Sequence, residues 1–468
     1  MCRIFLHRGA RGVLPSMNSP TVVSLSPLDR ARQKVYWRVL PLLFVCYVIA
    51  YVDRANVAIA KLTMVKDLPG FDNAVIGFGA GVFFLGYFLL EVPGSLIVEK
   101  WSARKWICRI MITWGIMAAL TALVKTPMHF YVVRFMLGLA EAGFFPGIIV
   151  YLTHWFPARD RTRALALFFV ATPVAQIVSP KISNALLRIG TSEIVDGATI
   201  VHPQVLGLAG WQWVYIFWGI PAIVLGVVVL FFLKDRPRDA PWLTSEEREA
   251  LETQLAADKA AGGKKRMTLL QALSHPLVLL LALAYFCNVT GTYGIEFFLP
   301  SILQQWYGLK IDAITWLVIL PPVLALVAQL FIGWSSDRMQ ERRFHAVIPL
   351  IIAALALGAA PLTQGNLPLT ICCFMLGFAG LKAYLPAFWA MPSLFLSGPA
   401  AAGSIGLINS LGNLGGFFGP AVLGKVQTVT GSFVGGIFYL SVSISVSAII
   451  LFFIGLGGRE KPGVSSAK

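Results

Sequence analysis

The stretch YVVRFMLGLAEAGFFPGIIVYLTHW, residues 131–155, is apolar enough to cross a lipid bilayer, yet it contains Arg134 and Glu141. Ionisable side chains at membrane depth are costly, and they most often mark a substrate or proton pathway. A second charged pair, Asp53 and Arg54, lies within the first long apolar segment of the chain, LPLLFVCYVIAYVDRANVAIA. Together the two stretches predict a membrane-embedded helical protein whose function depends on these four charged residues.

The composition extends this interpretation to the whole chain. Of its 468 residues, 57% are hydrophobic and only 13% are charged, a balance unlike that of soluble globular domains. Apolar runs of about 20 residues, the length that crosses about 30 Å of hydrocarbon, recur along the chain. The predicted spans are 38–60, 75–98, 107–124, 129–153, 163–188, 211–233, 277–304, 313–334, 345–363, 367–391, 400–425 and 433–457. The sequence therefore predicts an all-α membrane protein with twelve transmembrane helices in two sets of six.

Positive charge is distributed unevenly between the loops. The formal net charge is +16, and the basic residues gather in alternate loops, whereas the intervening loops hold few, such as Lys125 and Lys310. The basic clusters are Arg30, Arg32, Lys34 and Arg38 before the first span, Lys100, Arg104 and Lys105 after the second, Arg159, Arg161 and Arg163 after the fourth, and Arg338, Arg342 and Arg343 after the eighth. Basic loops stay on the cytoplasmic side of a membrane. Both termini and the central loop are thus expected in the cytoplasm of a multi-pass, bacterial-type inner-membrane protein, and no nucleic acid partner is expected.

One long polar stretch, KDRPRDAPWLTSEEREALETQLAADKAAGGKKRMTLLQALSHP, separates the two sets of spans. Within it, Thr244 and Glu247 have the spacing of a capping box, which predicts a short surface helix ending near Gly262. The chain divides into a cytoplasmic N-terminal tail at 1–36, an N-terminal six-helix bundle at 37–233, a cytoplasmic central loop at 234–275, a C-terminal six-helix bundle at 276–457 and a cytoplasmic tail at 458–468.

The sequence contains no pattern typical of an enzyme or a metal site. Its six cysteines are scattered, mostly within spans, without metal-ligand or disulfide spacing. No nucleophile motif, paired histidine ligands or phosphate-binding glycine loop is present. We therefore expect no enzymatic activity, no cofactor and no metal. The first sixteen residues lack the apolar core of a signal peptide and are either an extension upstream of a start at Met17 or a cytoplasmic tail.

Two short repeats relate the halves of the chain. FMLGLA at 135–140 matches FMLGFA at 374–379, one in the fourth span and one in the tenth. SLIVEKWSARK after the second span resembles GWSSDRMQERR after the eighth, which aligns Glu99 with Asp337. Such repeats predict two pseudo-symmetric six-helix bundles that face each other across a central cavity, with a binding site near the middle of the membrane.

The charges of the fourth span are suited to binding an anion and moving a proton. Arg134 and Glu141 are seven residues apart, so about 700° of helical rotation leaves them within roughly 20° of one face. A guanidinium can hold a carboxylate by two parallel hydrogen bonds, and a desolvated glutamate can take up and release a proton. The repeat aligns Arg134 with Cys373 and Glu141 with Gly380, so proton handling is assigned to the first half.

The loop residues after the eighth span resemble the signature of the major facilitator superfamily. They are Gly333, Asp337, Arg338, Arg342 and Arg343, with a counterpart around Glu99 in the first half. The runs AYVDRANVAIA, FFLGYFLLEVPGSLIVEKW, RFMLGLAEAGFFPG and LKAYLPAFWAMP resemble the anion:cation symporter family within that superfamily, over nearly the whole chain. The resemblance implies the major facilitator fold and a transporter of carboxylates such as tartrate, phthalate or galactonate.

The resemblance also implies roles for individual residues. Asp53 and Glu141 match the proton-coupling acids, Arg134 matches the arginine that binds the substrate carboxylate, and Arg54 assists by pairing with the acids. Further substrate contacts are implied for Tyr51, Tyr87, Trp389 and Asn409. The resemblance also implies that residues at the cytoplasmic rim favour one conformation of the transporter over the other without contacting substrate. These residues are Glu99, Gly333, Asp337 and Arg338.

These patterns predict proton-coupled uptake of an organic anion, such as a sugar acid, tartrate or an aromatic carboxylate, by alternating access in a monomer. The expected partners are the carboxylate substrate and the lipid bilayer, and the proton is the coupling ion. An anion exchanger on the same fold is the alternative, although an exchanger has less use for two buried acids. The sequence does not select the anion.

Several charged residues have a structural interpretation beside the functional one. Arg134 and Glu141 could form an ion-pair system that only holds helices together, and Asp53 could be an acid that serves helix packing. Glu91 and Lys382 are interpreted as structural, and Glu296 as either a gate or an interfacial residue. Lys181 would either contact substrate or extend its charge to the interface.

Overall fold

The computed structural model describes residues 25–195, 198–261, 275–395 and 399–456, and these are almost entirely helical. The α-helices of the described chain are α1 Pro27–Asp67, α2 Asn73–Lys100, α3 Ala103–Leu120, α4 Pro127–Glu141, α5 Phe144–Trp155, α6 Ala158–Phe169, α7 Ala171–Leu187, α8 Gly210–Phe232, α9 Ser245–Ala261, α10 Pro276–Tyr307, α11 Ile311–Leu317, α12 Leu320–Met339, α13 Arg343–Ala359, α14 Leu367–Ala383, α15 Leu385–Ala390, α16 Pro392–Phe395, α17 Pro399–Asn413, α18 Gly415–Thr430 and α19 Val434–Ile454. Within the described residues, short 3-10 helices lie at Thr121–Leu123, Pro237–Asp239 and Ala360–Thr363. A two-stranded antiparallel hairpin is formed by β1 Ser192–Val195 and β2 Ala198–Val201.

Helix starts follow the local sequence. At the start of five described helices, a side chain accepts a hydrogen bond from a backbone N–H of the first turn. These side chains belong to Ser26, Asp72, Ser102, Thr126 and Asn366. Such caps satisfy donors that have no partner within the helix. Proline opens α1, α4 and α10, where its missing N–H is not needed.

The two halves of the chain pack in the same way. In the first half α1 packs on α7 and α8, α2 on α4, and α3 on α8. In the second half α10 packs on α18 and α19, α12 on α14, and α13 on α19. Eleven described segments are long and apolar enough to cross a membrane, and α17 with α18 forms the remaining pass. The predicted fold of two pseudo-symmetric six-helix bundles is confirmed.

Several predicted spans differ in detail from the helices observed. The first helix begins at Pro27, so residues 27–36 of the predicted tail belong to it. The fourth pass is divided into α4 and α5 because Gly143 has a φ of +82°, a left-handed conformation that favours glycine. The eleventh pass is interrupted at Leu414, between α17 and α18. The hairpin of β1 and β2 was not predicted.

The predicted capping box in the central loop is present. The backbone N of Glu247 donates to Thr244 Oγ1 at 3.3 Å, and the backbone N of Thr244 donates to Glu247 Oε2 at 3.0 Å. The same carboxylate accepts a 2.7 Å bond from Lys34 Nζ and lies 3.5 Å from Arg30 Nε. The linker helix α9 is therefore fixed to the N-terminal turns of α1.

The pKa of Glu247 reflects these contacts. Burial alone raises the pKa of this carboxyl group, but the hydrogen bonds from Lys34 and Thr244 and the charges of Lys34 and Arg30 outweigh burial and lower it. The ionised carboxylate is thus the form that holds α9 in place.

We call the end of the bundles that carries Pro27, Ile454 and α9 the terminal face, and the opposite end the distal face. At the distal face, Asn73 Nδ2 donates to Gln427 Oε1 at 2.7 Å and joins α2 to α18. The bundles therefore make direct contact at this end.

Two further contacts close the distal face. Along the same seam, a Cβ atom at Gly77 would overlap the carbonyl oxygen of Pro420, so the two helices touch backbone to backbone. On the other side of the molecule, Arg188 Nη2 pairs with Asp312 Oδ2 at 2.8 Å and joins α7 to α11. The two bundles are closed against each other at the distal face.

Candidate substrate and proton site

Arg54 and Glu141 form an ion pair between α1 and α4. Arg54 Nη2 lies 2.5 Å from Glu141 Oε1, and Arg54 Nε donates to the same oxygen at 2.7 Å. The two side chains are 11% and 1% exposed, so the pair is almost completely desolvated. Glu141 Oε2 is also buried and has no hydrogen-bond partner among the described residues. One carboxylate oxygen therefore holds the arginine, and the other is unsatisfied.

The break in the fourth pass positions this glutamate. Glu141 is the last residue of α4, and Gly143 then turns the backbone before α5 begins. A side chain at Gly143 would meet the Cα of Gly94, so α2 and the turn approach closely. The carboxylate is held at a bend in the middle of the bundle, where it can contact α1.

Asp53 points to a different neighbour from Arg54, as expected for adjacent residues about 100° apart on a helix. One carboxylate oxygen of Asp53 accepts a short hydrogen bond from Trp114 Nε1, and the other lies 3.4 Å from Asn56 Nδ2. The side chain is only 3% exposed. Asp53 is thus a buried acid inside the first bundle, held by neutral donors.

Arg134 is enclosed by the first bundle. Its exposed fraction is 0%, its Nε donates a long 3.5 Å bond to the carbonyl oxygen of Gly79, and its guanidinium lies 5.2 Å from the centre of the Phe83 ring. Nη1 and Nη2 have no hydrogen-bond partner in the described part of the chain. The guanidinium is close enough to Asp53 and Glu141 to interact with both electrostatically. We expected Arg134 and Glu141 to face a shared cavity, and in this closed conformation both are covered.

A second polar cluster joins the two bundles beside the Arg54–Glu141 pair. Glu296 Oε1 accepts a 2.7 Å hydrogen bond from the Tyr51 hydroxyl and a short one from Gln176 Nε2. Lys382 Nζ donates to the Tyr51 hydroxyl at 3.3 Å and lies 3.7 Å from Glu296 Oε2. Arg54 Nη1 also approaches the Tyr293 hydroxyl, at 3.4 Å. This cluster contains one acid and one base from the second half, and the assignment of proton handling to the first half stays a prediction.

The remaining predicted substrate contacts lie around these charges. The Arg54 guanidinium lies over the Tyr87 ring, 4.9 Å from its centre. Asn409 Nδ2 donates to Glu91 Oε1 at 2.5 Å across the interface between α17 and α2. Trp389 packs edge to face on Tyr285, with ring centres 5.0 Å apart. Tyr87 is therefore next to the central ion pair, whereas Asn409 and Trp389 contact other neighbours.

Glu91 and Lys181 each contact a residue of the second bundle. Glu91 Oε1 accepts its hydrogen bond from the amide of Asn409. Lys181 Nζ lies 3.4 Å from the centre of the Trp316 ring at the junction of α7 with α11. Lys181 therefore contributes a cation–π contact between the bundles.

A narrow cleft lies between the bundles next to the second cluster. Its volume is about 50 Å³, and its walls include Gln176, Glu296 and Phe378. Ligand pockets usually measure about 300 Å³ or more, so this cleft cannot hold an organic acid. An organic substrate could occupy this cleft only if the bundles separated.

The loop residues near the terminal face interact locally. Asp337 Oδ1 accepts a 2.6 Å hydrogen bond from Arg342 Nη1, and the Arg338 guanidinium lies 5.4 Å from the centre of the Trp334 ring. Gly333 lies against Pro386, at the start of α15. The side chain of Glu99 lies outside the described residues. A role for these residues in the conformational switch stays a prediction.

Two repeated six-helix bundles with buried charges at their interface define a multi-pass membrane transporter. The chain belongs to the Major Facilitator Superfamily, whose family model matches residues 43–420 and 281–467. This is a family of transporters, and the protein is not an enzyme.

Individual relatives agree with this assignment. The protein named "Putative tartrate transporter" from Agrobacterium vitis is 42% identical over 91% of this chain and 91% of its own length. The "Putative metabolite transport protein NicT" of Pseudomonas putida is 36% identical over 90% of this chain and 93% of its own. Among solved structures, a partially occluded inward-open conformation of the xylose transporter XylE from E. coli matches with a TM-score of 0.70. It shares 15% identity over 92% of this chain and 100% of that one, so this similarity concerns the fold.

Proposed function

We propose that this protein is a symporter that couples proton entry to the uptake of an organic anion by alternating access. The observation that supports this most directly is Arg134, whose two terminal nitrogens are fully buried and have no hydrogen-bond partner among the residues that the structure describes. Each unsatisfied buried donor costs about 1–3 kcal/mol, and a carboxylate could satisfy both at once through two parallel hydrogen bonds. The name of the Agrobacterium relative favours a carboxylate substrate such as tartrate.

The proton would act through the Arg54–Glu141 pair. Removing one partner from a buried ion pair costs about 3–5 kcal/mol, because the remaining charge is uncompensated. Protonation of Glu141 therefore becomes favourable when a substrate carboxylate replaces it as the partner of Arg54. Asp53 is held by neutral donors and interacts with Arg134. It can take a second proton when substrate occupies Arg134.

The orientation follows from the loop charges. The terminal face carries the basic loops, and we assign it to the cytoplasm by the positive-inside rule. The conformation described is then closed to the exterior. Substrate and protons would enter when the α2–α18 seam and the Arg188–Asp312 pair separate, and the switch requires that they bind the two states with different affinities.

Transport in proteoliposomes tests the proposal. The purified protein would be reconstituted and presented with radiolabelled L-tartrate or D-galactonate under an inward proton gradient. We expect concentrative uptake that increases as the external medium becomes more acidic and that is abolished by a protonophore. Uptake that a protonophore leaves unchanged would contradict proton coupling.

A further inference from the structure

We propose that Lys382, Glu296 and Tyr51 form a second charged subsite, which binds the far carboxylate of a dicarboxylate substrate. This inference rests on the proposed function, since it assumes that an organic anion reaches the Arg54–Glu141 pair. It adds a binding role for the second half of the chain and selects dicarboxylates from the wider class of organic anions.

The Lys382–Glu296 pair is loose for a purely structural contact. The ammonium nitrogen lies 3.7 Å from Glu296 Oε2, which has no hydrogen bond within the described residues. Both side chains are well buried, at 14% and 7% exposure. A buried pair that only stabilises the fold needs close geometry and further hydrogen bonds to offset desolvation. The ammonium group therefore has hydrogen-bonding capacity left for another anion.

The subsite borders the place where substrate would enter. Glu296, Gln176 and Phe378 line the cleft between the bundles, and Lys382 Nζ lies 5.4 Å from the centre of the Phe378 ring. Separation of the bundles at the distal face would widen this cleft. The unsatisfied oxygen of Glu296 and the ammonium of Lys382 are thus next to the space that an incoming anion would occupy.

The two charged pairs are adjacent. Tyr51 and Arg54 are three residues apart on α1, so their Cβ atoms are about 5–6 Å apart on neighbouring faces of the helix. On α10, Glu296 contacts Tyr51 and Tyr293 contacts Arg54, with the same spacing along the chain. One short molecule with a carboxylate at each end can therefore reach both cations.

The pairs also share one chemical arrangement. Each pair consists of a buried cation and a glutamate. A substrate carboxylate could replace that glutamate as the partner of the cation. With both glutamates protonated and a dianion bound by Arg54 and Lys382, two positive charges face two negative charges. A monocarboxylate would displace Glu141 only and leave Lys382 with Glu296. The subsite therefore predicts a preference for dicarboxylates and one more proton per dianion than per monoanion.

A matched pair of substrates tests this subsite. L-tartrate and L-threonate have the same four-carbon hydroxylated chain and differ by one terminal carboxylate. Initial uptake of each would be measured in proteoliposomes for the wild-type protein, Lys382→Gln, Lys382→Arg, Glu296→Gln and a control, Lys310→Gln, whose side chain is exposed in a distal loop. The ratio of tartrate to threonate uptake is the readout.

We expect the wild type to favour tartrate. Lys382→Gln should lower the ratio about tenfold or more, the range for a lost charge-assisted hydrogen bond, with threonate uptake retained. Lys382→Arg should restore much of the tartrate-to-threonate ratio. Glu296→Gln should still bind tartrate but take up one proton fewer with each molecule. Lys310→Gln should match the wild type.

The outcomes separate the two proposals. A wild type that carries neither acid under a proton gradient contradicts the proposed function itself. If threonate is carried but tartrate is not, or if Lys382→Gln lowers both in the same proportion, the subsite is wrong and proton-coupled transport stands. Size-exclusion profiles and melting temperatures of each variant show whether a loss reflects unfolding. If Lys382→Gln does not fold, the proton count of Glu296→Gln decides the question. A wild-type proton count for tartrate in Glu296→Gln contradicts the subsite.

Discussion

Arg54 Nη2 lies 2.5 Å from Glu141 Oε1, and this pair joins the first pass to the bend in the fourth. The arginine also contacts Tyr293 of the second bundle. Arg54 thus links Glu141 to contacts both within one bundle and across the interface. Under the proposed function, loss of the charge on Glu141 would alter contacts that hold the two halves together.

The first prediction concerns Glu141→Gln. The amide keeps the shape and can still accept a hydrogen bond from Arg54, but it cannot release a proton. We expect accumulation of tartrate driven by a proton gradient to fall well below the wild-type level, because one of the coupled protons is lost. Exchange of internal for external tartrate should remain, because the substrate site and the conformational change are kept. Uptake and counterflow assays in proteoliposomes measure the two separately.

Glu249→Gln is the matched control for this experiment. Glu249 lies on the exposed side of α9, away from the bundle interface, and its replacement should leave accumulation unchanged. An anion exchanger would behave differently, since Glu141→Gln would then alter neither assay. Accumulation by Glu141→Gln at the wild-type level would therefore remove Glu141 from the coupling mechanism.

The second prediction uses the glycine seam at the distal face. A Cβ at Gly77 would overlap the carbonyl oxygen of Pro420, a backbone atom that cannot move aside as a flexible side chain can. Gly77→Val should therefore prevent close approach of α2 and α18 and shift the protein toward a distal-open conformation. Spin labels on the distal ends of these helices should report a longer mean distance, with tartrate uptake greatly reduced.

Gly406→Val provides the comparison for Gly77→Val. A Cβ at Gly406 meets no atom within 4 Å, so the same substitution should leave the distance unchanged. If Gly77→Val gives the wild-type distance distribution, the seam is not what closes the distal face.

Much of the fold could be predicted from the sequence because its signals are local. Apolar length sets the spans, and Ser26, Asp72 and Thr126 mark helix starts with their own side chains. The Thr244–Glu247 box was predicted for the same reason. The division of the eleventh pass at Leu414 has no comparable signal, because its glycines are also common in unbroken membrane helices.

The contacts within the candidate site were harder to predict from the sequence than the fold. An aspartate, a glutamate or an arginine within an apolar run is visible in the sequence, and Arg54 was expected to pair with an acid. The contacts of Glu296 with Tyr51 and Gln176 join residues far apart in the chain and depend on how two bundles meet. The intramembrane charge of Glu296 and Lys382 was the only sequence signal of the second cluster.

The third prediction concerns pH and the linker helix. The pKa of Glu247 is lowered in the folded protein, so the ionised carboxylate stabilises the fold. This stability is fully present above the pKa of the unfolded chain, about 4.3. It is lost as the pH falls through the lower pKa of the folded protein. We expect hydrogen exchange of α9, corrected for intrinsic rates, to be slow at pH 7 and to increase below about pH 4.

Glu247→Gln isolates this effect. The amide cannot ionise, so α9 should exchange faster already at pH 7 and show little further change on acidification. Equal pH profiles for the variant and the wild type would assign the acid sensitivity to another group.

The last prediction concerns Lys61, whose side chain is 2% exposed and whose Nζ has no hydrogen-bond partner among the described residues. Its only described favourable contact is the Phe298 ring, with the nitrogen 3.5 Å from the ring centre. A cation–π contact of this kind contributes about 2 kcal/mol, whereas burying an unpaired ammonium costs several kcal/mol. Lys61→Met keeps the length of the side chain and removes the unsatisfied group. It should therefore raise the melting temperature of the detergent-solubilised protein by about 2 °C or more.

Lys66→Met is the control for this measurement. Lys66 is exposed in the last turn of α1, where its charge interacts favourably with the helix dipole, so its loss should lower stability slightly. A Cβ atom added at Gly424 would lie 3.1 Å from the Phe298 ring, so Phe298 packs beneath the distal seam. Stabilisation by Lys61→Met would therefore act on the closed state and should also slow tartrate uptake. A melting temperature that falls further for Lys61→Met than for Lys66→Met would mean that the buried ammonium is stabilising where it lies.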